Sequence, residues 1–177
     1  MQFTDQSIDQ FTKQFTNYVL FKNSSEFWGH AVNLRRKVFV EEQGISEAIE
    51  LDERDEYAYH LIAIRQRKTC GVMRILIEDN VAKLGRIAVH PGDRQQGIGS
   101  AMVQQSLRFC HLVGVDTLVL NAQSHTIRFY EKLGFKAEGE TFLEAKIPHI
   151  RMTLSLEEKG NCELYLTGGS RDGLVLS

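Results

Sequence analysis

The sequence predicts an α/β fold. Runs rich in β-branched and aromatic residues alternate with segments whose apolar side chains recur three and four apart, and glycines stand where one period gives way to the other. Size and composition agree: 177 residues, 42% hydrophobic and 25% charged, suit one compact domain that buries roughly two-thirds of its unfolded surface. Twenty-one Lys and Arg against 23 Asp and Glu leave a net charge of -2, so no global field exists to hold a phosphate backbone or an anionic lipid surface.

Taken in order, residues 1–17 place Ile8, Phe11 and Phe15 at helical spacing and predict an N-terminal extension. The domain itself is expected over 18–157. Tyr18 to Phe21 reads as a short strand, and Ser24 and Ser25 are cap-forming residues ahead of a helix carrying Phe27, Ala31, Leu34 and Val38. His60–Ile64, Val72–Ile77 and Val81–Val89 are three β-rich runs that predict a meander. After Gly97 the period changes: Met102, Val103, Leu107, Cys110 and Val113 share one helical face, and Gly114 supplies the left-handed stop. Thr117–Leu120 follows as a buried strand, then a helix from about Ser124 to Leu133 ended by Gly134. Phe135–Ala137 and Ile150–Leu156 close the sheet. Residues 158–177, with four glycines and short apolar pieces, read as a weakly ordered tail or a late edge strand.

The most informative stretch is Leu84 to Gln105, where a strand meets Pro91, then Arg94-x-x-Gly97-x-Gly99, then an amphipathic helix. Amides at a helix N-terminus, approached closely through glycine, form a cradle for an anion such as a pyrophosphate. The loop lacks the Gly-Lys-Ser/Thr ending of a P-loop and the Gly-x-Gly-x-x-Gly of a dinucleotide fold, and it follows four predicted strands rather than one.

Val89-x-Pro91-x-x-Arg94-x-x-Gly97-Ile98-Gly99, followed some thirty residues later by Phe129-Tyr130-Glu131-Lys132-Leu133-Gly134-Phe135, resembles the GNAT superfamily of acyl-CoA-dependent N-acyltransferases. Leu34-Arg35-x-x-Val38-Phe39-Val40-x-Glu42-Gln43, Leu51-Asp52-x-x-Asp55, Ala122-Gln123 and Ile147-Pro148-His149-Ile150 resemble its ElaA-like branch. The resemblance covers about residues 18 to 154. It implies a mixed, splayed central sheet flanked by helices, with acetyl-CoA as acyl donor between the two central strands and an amine acceptor, small molecule or peptide. The pyrophosphate would lie on Arg94, Gln95, Gln96, Gly97, Ile98, Gly99 and Ser100, and Ile87, Ala88 and Val89 would offer backbone groups to the pantetheine arm. Gln123 stands where the superfamily often has Asn, keeping the amide chemistry.

Tyr130 is the expected general acid, since its matching position in the family directs a phenol at the departing thiolate. An ammonium acceptor must also lose a proton, and Glu42 and His149, both inside the branch motifs, are the candidate acceptors. Glu41, Asp52, Asp55 and His125 are further polar groups, but acidic runs such as Glu50 to Glu56 are usually solvated faces, and this one hints at a cationic acceptor. Cys70, Cys110 and Cys162 have no CxxC spacing and suit reduced thiols, and no metal-ligand spacing occurs.

The expected reaction is therefore acetyl transfer from acetyl-CoA to a primary amine by direct attack in a ternary complex. A non-catalytic acyl-CoA-binding module is the alternative. Arg35, Arg36 and Lys37 are the one tight basic cluster, beside acidic residues, and no nucleic-acid partner is expected. The start lacks a basic, then apolar, leader and no run approaches the ~20 apolar residues of a membrane span, so a cytoplasmic protein is expected. The oligomeric state stays open, with a homodimer one candidate.

Overall fold

A computed structural model of the chain describes residues 16–156 and 174–176. Its frame is one sheet of eight strands, β1 Thr16–Phe21, β2 Tyr59–Arg65, β3 Lys68–Glu78, β4 Val81–Val89, β5 Thr117–Gln123, β6 Lys136–Glu144, β7 Ile147–Ser155 and β8 Leu174–Leu176. They lie in the order β6-β7-β5-β4-β3-β2-β1-β8. β2, β3 and β4 form the expected antiparallel meander, whereas β4 and β5 run parallel. A parallel step needs a crossover, and the helix α3 Ile98–Leu112 supplies it.

The central strands are covered on both faces over much of their length, so apolar residues run together in them, as in residues 61–64 and 118–120. Leu61, Met73, Ile75, Leu84, Leu118 and Leu120 face α3, whose Met102, Val103, Leu107 and Cys110 form the inner stripe. Gly71 of β3 is forced by this contact, since a Cβ there would lie 2.4 Å from Met102 Sδ. On the other face Phe21, Ile62, Val72 and Ala88 pack against Ala31, Leu34 and Val38 of α1 Trp28–Arg35 and its continuation. Gly114, at φ +80°, ends α3, and Val115 N donates to Cys110 O at 2.9 Å.

Several expectations change in detail. The predicted N-terminal helix falls mostly on residues outside those described, and β1 already begins at Thr16, inside the expected extension. The cap of α1 is Phe27, not a serine; Ser25 Oγ instead accepts from Phe27 N at 3.3 Å. α1 widens into a π-helical segment, Arg36–Glu42, in which Gln43 N reaches back five residues to Val38 O at 3.2 Å. The closing strands extend to nine residues each. Of the C-terminal stretch, Leu174–Leu176 forms an edge strand parallel to β1, so the chain returns to the sheet after the domain's expected end; the remainder of that expectation lies outside the described residues.

The largest correction concerns Glu50 to Glu56. Far from a solvated acidic loop, it contains the end of α2 Glu47–Glu50 and a 3-10 turn Glu53–Glu56, with Glu50 only 2% and Asp55 only 4% exposed. Arg35, fully buried, donates through Nε to Glu50 at 2.7 Å and through Nη1 to Asp55 at 2.8 Å. Arg74 of β3 donates to Asp52 at 2.7 Å and Asp55 at 3.0 Å, and Arg86 of β4 meets Glu50 at 2.8 Å. Burial raises the Glu50 carboxyl against the pull of its arginines. Burial pushes Asp55 the same way, but Arg35 and Arg74 outweigh it and hold Asp55 low. Arg35, Arg74 and Arg86 thus pair with Glu50, Asp52 and Asp55, while Glu53 and Glu56 stay exposed, so the run is part buried ion-pair network and part solvated face.

Candidate active site

β4 and β5 pair only from Val81 with Thr117 to Leu84 with Leu120. Beyond that point β4 runs on to Val89 and β5 to Gln123, each without the other as partner, and the sheet opens into a wedge. A β-bulge reinforces the split. Between Gly85 and Ala88 β4 carries one residue more than β3 does between Arg74 and Val72, and Arg86 takes φ +52°. The bulge aims Arg86 at α2, where Nε donates to Glu50 O at 3.0 Å and Nη2 to Ile49 O at 2.8 Å.

At the open end of the wedge stands the N-terminus of α3. Gly97 caps it at φ +80°, a conformation that glycine adopts without penalty. The first in-helix donor is Ala101 N, to Gly97 O at 3.0 Å, which leaves the amides of Ile98, Gly99 and Ser100 without an acceptor in the helix. Gly99 lies against Phe129, whose ring a Cβ would meet at 3.4 Å. These amides carry the helix dipole's positive end and can hold a phosphate oxygen.

Tyr130 lies on α4 Ile127–Lys132, which follows β5 through a 3-10 turn at Ser124–Thr126. Its ring is fixed edge-on between Phe129 and Phe135, with centroids 4.8 and 5.9 Å away. Tyr130 also lines the wedge cavity, and among the described residues its hydroxyl has no hydrogen-bond partner in the protein. Burial pushes the phenol well above its ordinary value, so the proton stays on it at neutral pH. A phenol that keeps its proton and faces the cavity can donate a hydrogen bond into it.

The cavity, about 1020 Å³, brings together every expected site residue except Gln96: Glu42, Ile87, Ala88, Val89, Arg94, Gln95, Gly97, Ile98, Gly99, Ser100, Gln123, Tyr130 and His149. Gln96 turns away, its side chain tied to Arg65 at 2.7 Å and to Gly92 O at 3.3 Å. His149, 8% exposed, sits opposite Gln123 in the β5–β7 ladder and stacks on Phe142. Its Nδ1 lies 2.7 Å from Ile147 O, a contact that in the neutral ring makes Nδ1–H the donor and leaves Nε2 to accept.

Glu42, the other expected proton acceptor, is engaged by Arg94. Both carboxylate oxygens are taken by Arg94, at 2.7 and 2.6 Å, and that hydrogen-bonded pair holds its pKa below the usual carboxylate range. Such a group is a poor base. Arg94 in turn donates from Nε to Val89 O at 3.1 Å, so the pair straps the π-helical segment to the mouth of the wedge. Two more residues border the cavity: Gln43, which the sequence placed in a branch motif without a role and which accepts from Gln123 at 3.2 Å, and Asn121, which the sequence did not flag and which donates to Glu144 at 2.7 Å. Their partners lie 80 and 23 residues away, and no local pattern announces those pairings.

Comparison with known proteins agrees with this architecture. The profile of the family described as "Acetyltransferase (GNAT) domain" matches residues 2–156. The Bacillus subtilis protein named uncharacterized N-acetyltransferase YjcF is 32% identical over 135 residues, 76% of this chain and 96% of that protein. The crystal structure of a Pseudomonas aeruginosa acyl-CoA N-acyltransferase superposes with a TM-score of 0.72 at 27% identity, covering 79% of this chain and 99% of the other. Escherichia coli ElaA gives a TM-score of 0.70 at 26% identity, covering 78% and 98%. By family match, sequence relatives and superposed structures together, the chain is a member of the GNAT family, ElaA-like, and an acyl-CoA-dependent N-acyltransferase.

Proposed function

We propose that the protein transfers an acetyl group from acetyl-CoA to a primary amine by direct attack in a ternary complex. The observation that carries this reading is the alignment of three features along one cavity: free helix amides at its mouth, β4 strand backbone along its wall, and a proton-bearing Tyr130 within it. The pyrophosphate of CoA would rest on the amides of Gly97 to Ser100, and the pantetheine would follow Val89, Ala88 and Ile87 toward the point where β4 and β5 rejoin. The neutral amine nitrogen then attacks the thioester carbonyl carbon. As the tetrahedral intermediate collapses the carbon–sulfur bond breaks, Tyr130 gives its proton to the thiolate, and His149 Nε2 takes the proton that the new amide nitrogen sheds. Glu42 acts through Arg94, holding the coenzyme mouth in place, and Gln123 orients groups at the wedge through its amide.

The test is thiol release from acetyl-CoA against a panel of amines. Amine-dependent release supports the reading. Tight CoA binding with no release for any amine would leave an acyl-CoA-binding module instead.

A further inference from the structure

Most glycines of the described chain have a visible reason in the fold. Gly44, Gly97, Gly114, Gly134 and Gly139 take positive φ, Gly71 makes way for Met102, and Gly99 touches Phe129. Gly85 has neither reason. Its φ is not left-handed, and a Cβ built on it would meet nothing within 4 Å. The bulge beside it does not require glycine either, because the left-handed residue there is Arg86. A strand-interior glycine weakens the strand, and where packing does not explain it, close approach of a ligand does.

The position gives that empty space a meaning. Gly85 is the first residue of β4 past the last rung shared with β5, and it lines the cavity. It stands opposite Arg74 in the ladder with β3, so its missing side chain would project on the face of α1 and α2, above the Arg74–Asp52 pair. From Val89 to Gly85 the strand covers about 13 Å at the usual rise. A pantetheine laid along this run brings the thioester to the level of Gly85.

We infer that Gly85 is a specificity-determining residue for the amine acceptor: its bare backbone is the floor on which the group attached to the attacking nitrogen lies, and the absence of a side chain admits a bulky or branched amine. This rests on the acceptor and coenzyme sites proposed above. The coenzyme contacts upstream on β4 and at α3 do not involve the vacant volume, so acetyl-CoA affinity is independent of it.

The experiment compares wild type with Gly85→Ala and Gly85→Val, using acetyl-CoA and a series of primary amines from methylamine to amines branched next to the nitrogen, with acetyl-CoA affinity by calorimetry and Tm measured alongside. The expected result is a loss of kcat/KM that grows with acceptor bulk, about tenfold or more between the ends of the series for Val and less for Ala. Affinity for acetyl-CoA stays unchanged, and Tm stays level or rises because the new side chain meets no clash and stiffens the strand. A loss uniform across the series, or a drop in acetyl-CoA affinity or Tm in both variants, overturns the assignment of Gly85. Wild type that acetylates none of the amines overturns the acetyl-transfer reading and this inference with it, an outcome distinct from size-blind variants of an active enzyme.

Discussion

Replacing Arg35 by Met tests the buried charge network. Arg35 has no exposed surface and makes four hydrogen bonds to α2 and the following turn: to Glu50 Oε1 at 2.7 Å, Glu50 O at 2.5 Å, and Asp55 at 2.8 and 3.1 Å. Methionine preserves much of the volume but leaves Glu50 and Asp55 to Arg86 and Arg74 alone, with three cations reduced to two. Removing one partner of a buried pair costs about 3–5 kcal/mol. For a chain of this size each kcal/mol moves Tm by about 2–4 °C, so the expected drop is about 6–20 °C. The loss should depend on pH. Glu50 already sits above its ordinary 4.5 through burial, and losing Arg35 drives it higher. A raised carboxyl weakens the fold as pH climbs through the window from its unfolded value to its folded one, and protonating it gives that stability back. Acidification from pH 7 toward 5 therefore narrows the gap between wild type and variant through Glu50. Asp55, held below 3.8 in the wild type, keeps its contribution across that range and loses it only as pH falls through its folded value. Thermal melts from pH 7 to 5 read the result directly. A variant within 2 °C of wild type at pH 7, against an expected cost of about 3 kcal/mol or more, or a gap constant with pH, would refute the account of the network.

Three further outcomes bear on the site. Tyr130→Phe should lower single-turnover rate by about 10²–10⁴-fold while acetyl-CoA affinity holds, since only a proton donor is removed; wild-type rates would assign the acid elsewhere. Ser100→Glu puts an acid in the first turn of α3, which favours the helix, yet it should abolish CoA binding by calorimetry because it sets a negative charge at the amide turn; unchanged affinity would move the pyrophosphate away. His149→Gln should reduce kcat or raise the acceptor KM with acetyl-CoA affinity intact, and equal losses for both substrates would make its part structural.

What the sequence discloses here is what is local. Gly97 and Gly114 bracket α3 because a helix start and stop are written in adjacent residues, and the meander of β2 to β4 follows from runs a few residues apart. Asp55, by contrast, finds its cations 20 and 19 residues away, and Glu42 meets Arg94 across 52. Composition alone could not tell which carboxylates of the acidic run are buried against arginines and which are solvated, because the sheet decides which side chains meet. Gly85 was equally silent: a glycine in a β-rich run reads as a flaw until the space above it is seen. The motif residues of the wedge were recognisable together because one strand–loop–helix unit carries most of them.

β6 carries a further consequence. Its register against β7 slips between Glu138 and Phe142, with Gly139 at φ +73° inside the slip. All nine residues are exposed, and Lys136, Glu138, Glu140 and Glu144 put charge on a strand that borders the solvent. An outermost strand that is straight and apolar invites another chain to zip onto its vacant amides and carbonyls, and fibrous aggregation begins that way. Here the kink interrupts the row of vacant groups midway and the charges repel a like-sided copy. The opposite border is β8, only three residues long, and among the described residues so short an edge gives a second chain few rungs to pair with.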